Sequence, residues 1–358
     1  MATNLDRLRA RMEEAGVAAL LLSDIANVQW LSGFTGSSAL ALVTPEHAVF
    51  ITDSRYTIQA GEEVKGMDVE WFASPVKQAD FAADRVRALG IKKLGFESAQ
   101  VTYQTFEDWQ KAFAGVELFG VRNLIEPLRM VKTADEVAAI QRACALTDAC
   151  FEHLTRLIQP GVREYDIALD LEFFIRRQGA DLAFSPTVVS GPNSARPHGK
   201  PSERKLQRGD FLTLDFGAKV DGYNSDLTRT VVVEEASDRH AEIYNQVLKA
   251  ETEAIAFMRA GVAARDVDGL ARRILDEKGL AKYFGHGLGH GLGKVVHDFG
   301  RMATTSEDVL EIGQVWTVEP GVYIEGFGGV RIEDDVVVTE AGVDVLTHAP
   351  KELLVLPA

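Results

Sequence analysis

Phe211-Leu-Thr-Leu-Asp-Phe-Gly217 and Ser225-Asp-Leu-Thr-Arg-Thr-Val-Val-Val233 flank the dipeptide Asp221-Gly222. Both flanks are rich in β-branched and apolar residues. Asp-Gly between such runs is a strong signal for a hairpin with a two-residue loop. That loop sets Val220 opposite Tyr223, Gly217 opposite Asp226 and Asp215 opposite Thr228. Asp215 and Asp226 then become diagonal neighbours on one face of the sheet. The surrounding residues are those of buried strands, and two carboxylates in such a place need a cation or a proton.

A second stretch repeats the plan. Thr317-Val-Glu-Pro-Gly-Val-Tyr323 leads through Gly326, Gly328 and Gly329 into Val330-Arg-Ile-Glu-Asp-Asp-Val-Val-Val338. A turn centred on Gly326 places Glu319 directly across from Glu333. Like charges directly opposite one another are destabilising, and a bound metal reverses the sign of that contribution. Arg331 shares a face with Glu333 and is placed to orient a metal-binding carboxylate.

Histidines complete the set. His198, His286, His290 and His297 fall in two segments; His286 and His290 lie within a run in which Gly alternates with His and Leu from Gly285 to Gly293, and His297 follows it. Small residues there let backbone and substrate approach closely. Four carboxylates and one imidazole suit two divalent ions, with Mn²⁺ first by ligand type and Zn²⁺ or Co²⁺ as alternatives. Two such ions roughly 3.5–4 Å apart share a water and lower its pKa toward 7. Each piece has an ordinary structural reading when taken alone: an edge Asp, a structural His, a solvated charge run at Glu333-Asp334-Asp335. Their order on two matched hairpins is what points to a metal centre.

Outward from these hairpins, the preceding residues read as an α/β domain. Leu5, Leu8 and Met12 share a helix face. Strands are expected at Ala18–Leu22, Ser38–Val43, Ala48–Ile51 and Lys93–Glu97, and a helix at Tyr103–Phe113. Thr133-Ala-Asp-Glu136 is a capping box that opens a long helix ending before Pro160-Gly161. The domain boundary is placed at about residue 128. A faint repeat follows, in which Pro160-Gly-Val162, Asp166-Ile167 and Gly179 recur as Ala260-Gly-Val262, Asp266-Val267 and Gly279. Two halves packed about a pseudo-two-fold are expected.

The 358 residues suffice for two domains with substantial cores, and 46% hydrophobic with 25% charged residues is ordinary for a folded protein. A net charge of −15 argues against a nucleic-acid partner, since nothing neutralises a row of phosphates. No apolar run reaches the length of a membrane span, and the charged first residues lack a signal-peptide core, so a cytoplasmic location without membrane association is expected. Cys144 and Cys150 lie six apart on one expected helix and cannot pair.

These motifs resemble the M24-type metallopeptidases, the family of methionine aminopeptidase, prolidase and aminopeptidase P, whose C-terminal fold is called pita bread. The resemblance covers most of the chain. Its signatures are Leu214-Asp-Phe-Gly217, Ser225-Asp-Leu-Thr-Arg-Thr230, His286-Gly-Leu-Gly-His290, Val296-His-Asp298, Val318-Glu-Pro-Gly-Val-Tyr323 and Arg331-Ile-Glu-Asp334. It implies an α/β N-terminal domain over residues 1–128 and an α+β pita-bread domain with an internal pseudo-two-fold over 129–358. It assigns Asp215, Asp226, His290, Glu319 and Glu333 as metal ligands, with Asp226 and Glu333 bridging or chelating. Glu319, His297, His198 and Arg331 become the expected catalytic set. His198, His286, His297, Tyr323, Arg55 and Tyr56 become the expected substrate contacts.

The N-terminal domain argues against methionine aminopeptidase, and the full ligand set argues against metal-free creatinase and against an inactive peptide-binding module. Within the proline-specific branch, Thr52-Asp-Ser-Arg-Tyr56 resembles a motif of the small bacterial aminopeptidases P. The expectation is therefore an Xaa-Pro aminopeptidase acting on peptides with proline at position two, with Xaa-Pro dipeptidase as the alternative. The resemblance also implies a homodimer.

Overall fold

A computed structural model describes residues 3–356 of the chain. It divides into two compact units, Met1–Arg129 and Met130–Ala358.

In the first unit a six-stranded mixed sheet runs, in spatial order, Asp68–Phe72, Ala48–Asp53, Ala39–Val43, Leu20–Leu22, Lys93–Glu97 and Glu117–Val121. The central strands are apolar along their whole length because both faces are covered. Leu20, Leu22, Ala41, Val43 and Phe50 enter one apolar cluster. Leu21, Leu40, Leu42, Val49 and Ile51 enter another. The expected strands and the helix Tyr103–Ala112 are present, with ends that differ by one or two residues. A two-residue side-chain period therefore fills both faces, with helices supplying the outer layers.

The second unit shows the duplication in its hydrogen bonds. The capping box at Thr133 forms, and opens the helix Ala134–Thr155. The next helix spans Glu164–Arg177. Their counterparts one hundred residues on are Asp238–Phe257 and Ala264–Asp276. At equivalent points Gly161 donates to Leu206 at 2.9 Å, and Gly261 to Leu310 at 2.8 Å. Isolated bridges Arg163–Lys205 and Ala263–Val309 repeat the match. Each helix pair packs on its own sheet. Phe151, Leu171, Leu214 and Val231 form one core, and Val247, Ala271, Trp316 and Val336 the other.

The two half-sheets are pinned together by a buried cation. Arg229 is 1% exposed and donates to the Asp334 carboxylate at 2.7 Å, to the Glu333 carbonyl at 2.5 Å and to the Ala349 carbonyl. Burial raises the Asp334 carboxyl, but Arg229 and Lys351 outweigh it and hold that group at about 2. Cys144 and Cys150 are both buried and unpaired with each other. Among the described residues no helix is long and apolar enough to cross a membrane.

Removing one partner of a buried pair strands the other charge, which costs about 3–5 kcal/mol. Arg229→Ala should therefore lower the urea midpoint by that equivalent, and an unchanged midpoint would show that Arg229 is not the pin.

Candidate active site

The first hairpin folds in the register its turn demands. Val220 pairs with Tyr223, and Asp215 with Thr228. Asp221 and Gly222 both take positive φ, 50° and 76°, as a tight turn matching strand twist requires. In the second hairpin Val318 pairs with Asp334 and Gly321 with Arg331. Glu319 and Glu333 fall between those two ladders at the register that sets them opposite one another. The hairpins are joined side to side. Glu333 donates its backbone N–H to the Thr228 carbonyl at 3.1 Å, and the Thr228 hydroxyl donates to the Glu333 carboxylate at 2.6 Å.

His290 comes from the short strand Gly289–Gly291. A Cβ on Gly289 would meet the Thr317 carbonyl oxygen at 2.0 Å, and one on Gly291 the Phe299 carbonyl oxygen at 1.9 Å. Glycine on both sides is thus what lets this strand lie close to its neighbours and present the imidazole. His290 Nε2 lies 3.7 Å from Asp226 and 3.5 Å from Glu319. Asp226, His290 and Glu333 each offer a ligand atom, all within 4.8 Å of one another. Asp215 completes the group and accepts a hydrogen bond from Arg331.

Burial governs the protonation of the group. It pushes Glu319 up to about 8 and Asp226 and Glu333 well above the carboxylate range, and neighbouring carboxylates add to all three shifts. Burial likewise raises Asp215, with Arg331 acting in the opposite sense. His290 is pushed down to about 4, so the imidazole is neutral and has a lone pair to give. Hard carboxylate oxygens and one neutral imidazole, converging without enough cations to neutralise them, are a donor set for divalent metal.

The group opens into a cavity of about 890 Å³, lined entirely by residues of the second unit. His198, His286, His297 and Arg331 border it with the five candidate ligands. The His297 ring stands edge-on to His290 at 4.4 Å. His286 shares a 2.9 Å hydrogen bond with the Tyr323 hydroxyl, to which Arg331 also donates at 2.8 Å. Arg55 and Tyr56 belong to the first unit. There Arg55 is held by both oxygens of Asp53, at 2.8 and 2.9 Å, and the Tyr56 hydroxyl shares a hydrogen bond with Ser37.

The family model for Metallopeptidase family M24 matches residues 138–340, and that for the Creatinase/Prolidase N-terminal domain matches residues 4–131. The chain belongs to metallopeptidase family M24. It is similar to the structure of an Xaa-Pro dipeptidase from Bacillus anthracis, with 43% identity, 99% of each chain covered and a TM-score of 0.95. An X-Pro aminopeptidase from Thermotoga maritima matches at 36% identity over 96% of this chain and 99% of its own, with a TM-score of 0.90. An Xaa-Pro dipeptidase from Pyrococcus furiosus is 34% identical over 99% of this chain and 100% of its own length. The pita-bread fold with its N-terminal α/β domain is thus shared along the whole chain.

Two further residues of the candidate site escaped the reading of the sequence. Asp335 is fully buried behind the candidate ligands, accepting the Asp226 backbone N–H at 2.9 Å and the Cys144 thiol at 3.3 Å. Strand alternation puts it on the face of Glu333, a signal that was there to be used. Arg301 lies directly across from His290 on the strand Asp298–Met302 and borders the cavity. Its guanidinium enters none of the ion pairs among the described residues. Nothing in the local sequence distinguishes it from an ordinary surface arginine.

The raised carboxyls make the metal-free protein pH-sensitive. Groups whose folded pKa lies above the unfolded value destabilise the fold as pH rises from about 4 toward about 8. A divalent cation bound among these carboxylates would remove that penalty. Added Mn²⁺ should therefore raise Tm over the chelator-treated protein by more at pH 8 than at pH 5.5, measured by thermal melts. A metal-induced shift that did not grow with pH would contradict this account.

Proposed function

We propose that this M24 enzyme is an Xaa-Pro dipeptidase, cleaving the bond before a C-terminal proline. The observation that carries this reading is Arg301: an unengaged guanidinium on a rigid strand, in the cavity wall, one strand from His290. A dipeptidase has to recognise the substrate's own carboxylate next to the scissile bond, and a planar guanidinium does so with two parallel hydrogen bonds. Arg55 is less suited, because Asp53 already occupies its fork. The dipeptidases of Bacillus anthracis and Pyrococcus furiosus support the same choice over the aminopeptidase expected from Thr52–Tyr56. The Thermotoga maritima X-Pro aminopeptidase keeps that second reading in view.

Asp215, Asp226, His290, Glu319 and Glu333 are the proposed ligands of two divalent ions, with Mn²⁺ favoured by the predominance of carboxylate oxygen. Bound there, such ions polarise a carbonyl and make water nucleophilic near neutral pH. The protein's own contribution is positional. Glu319 has one oxygen toward His290 and the other toward Arg331, and it receives and passes on the proton of the attacking water. His297, exposed beside His290, donates to the scissile carbonyl oxygen as charge develops on it. Tyr323 and Arg331 hold each other and Asp215 in place, so the carboxylate does not have to reorganise during the reaction. His198 and His286 flank the proline ring.

Glu319→Gln, with metal content measured, should lose kcat by about 10²–10⁴-fold. A fully metallated, fully active variant would remove Glu319 from proton transfer. Arg301→Ala should raise KM for Xaa-Pro dipeptides about tenfold or more while kcat changes little. A KM that does not move would favour the aminopeptidase reading.

A further inference from the structure

Ser190 and Ser202 mark the two ends of the segment that carries His198. From it Pro197, His198, Gly199, Lys200 and Pro201 border the catalytic cavity. Both ends are held by one side chain, that of Glu164, which is fully buried and begins the helix Glu164–Arg177. Its Oε1 accepts the Ser190 backbone N–H and the Ser190 hydroxyl, both at 2.7 Å. Its Oε2 accepts the Ser202 backbone N–H at 3.0 Å and the Ser202 hydroxyl at 2.6 Å. Arg204 sets the direction of both hydroxyls. Its guanidinium donates to Ser190 Oγ at 2.6 Å and its backbone N–H to Ser202 Oγ at 3.2 Å, which leaves each hydroxyl proton for Glu164.

Backbone hydrogen bonds already tie down both ends. Ser190 pairs with Leu212, and the Tyr165 N–H donates to the Ser202 carbonyl at 3.2 Å. A buried carboxylate costs desolvation, which its four hydrogen bonds offset. What it adds is fixity at both ends of one segment. The segment also meets the hairpin that carries Glu333: Arg331 donates to the Pro197 carbonyl at 3.3 Å, and the Gly329 N–H to Ser194 Oγ at 2.8 Å. Among the described residues nothing hydrogen-bonds the exposed His198 imidazole, so the backbone beneath it decides where it stands. The other half of the duplication secures its own histidine segment from a different position. Ala264 begins the equivalent helix in the place of Glu164. One turn on, the buried Asp268 accepts the Leu288 N–H at 3.0 Å and pairs with Arg272, which donates to the His286 carbonyl.

We infer that Glu164 is a positioning residue for His198: by holding Ser190 and Ser202 on one carboxylate, it keeps the imidazole beside the proline of the substrate. The assignment rests on the Xaa-Pro reading, in which His198 flanks that ring. It adds a residue that acts on the reaction only through the segment it holds. A misplacement of about 1 Å in a substrate-facing group costs up to roughly a hundredfold in rate.

The test is a double-mutant cycle on kcat/KM for an Xaa-Pro dipeptide, using the Mn²⁺-loaded full-length enzyme, with metal content and urea midpoint measured for every variant. Glu164→Gln keeps the shape of the side chain but turns an amide NH₂ toward the donors at one end. It should lower kcat/KM about ten- to a hundredfold with metal content unchanged. In a His198→Ala background the same change should cost about twofold or less, because the group it positions is gone. Ser202→Ala removes one of the four bonds and should show the same pattern at about threefold, which carries the test if Glu164→Gln does not fold. Equal losses in the two backgrounds overturn the assignment of Glu164 and leave the Xaa-Pro reading intact. A His198→Ala enzyme with unchanged kcat/KM overturns the assignment together with the role of His198 on which it stands. Wild-type enzyme that cleaves no Xaa-Pro peptide overturns both the assignment and the Xaa-Pro reading.

Discussion

Four carboxylates converge in a buried site, where burial together with neighbouring carboxylates raises Asp226, Glu319 and Glu333 above the ordinary carboxylate range. Surrounding hydrogen bonds hold that unfavourable arrangement in place, and a divalent cation bound among the carboxylates would reverse its sign. Glu319 and Glu333 oppose each other across a hairpin, and Asp226 lies one hairpin away. Without metal, burial and mutual repulsion push these groups toward the neutral form. With a divalent ion bound there, the same crowding would become coordination, and metal affinity would be coupled to the stability of the fold.

The supports are graded by distance from the cluster. Thr228 and Arg331 touch the carboxylates themselves. Asp335 anchors the backbone of Asp226, and Arg229 anchors the carbonyl of Glu333 together with Asp334. Paired strands from both halves of the duplication supply these groups. A rigid ladder holds a side chain to a tolerance that a loop does not, and metal chemistry demands that tolerance. Arg301, His198 and His297 stand apart from these supports, on the wall of the cavity into which the carboxylates open.

The legible parts of this protein were those encoded in local pattern. Asp221-Gly222 specified a two-residue loop, and that loop alone dictated the pairing of Asp215 with Thr228. Gly326 at the centre of the second turn dictated the register around Glu319 and Glu333. The glycine spacings at 161 and 261 were enough to expose the duplication. Less legible were residues whose role depends on what stands beside them. Arg301 stands out only through the strand pairing that sets it across from His290 on the cavity wall. The Arg55–Tyr56 motif was conspicuous in sequence, yet in the fold Arg55 is already engaged by Asp53 two residues away.

The amino-acid order by itself determined the two hairpins, their registers, the helix caps and the kinds of ligand available, because turn chemistry and side-chain periodicity act over a few residues. Only the tertiary structure decided that the hairpins meet through Thr228 and Glu333, that Arg331 closes on Asp215, and that Asp335 backs Asp226. Those outcomes depend on contacts between residues 105 to 116 positions apart. No local preference encodes such contacts, since they are set by the packing of whole sheets against one another.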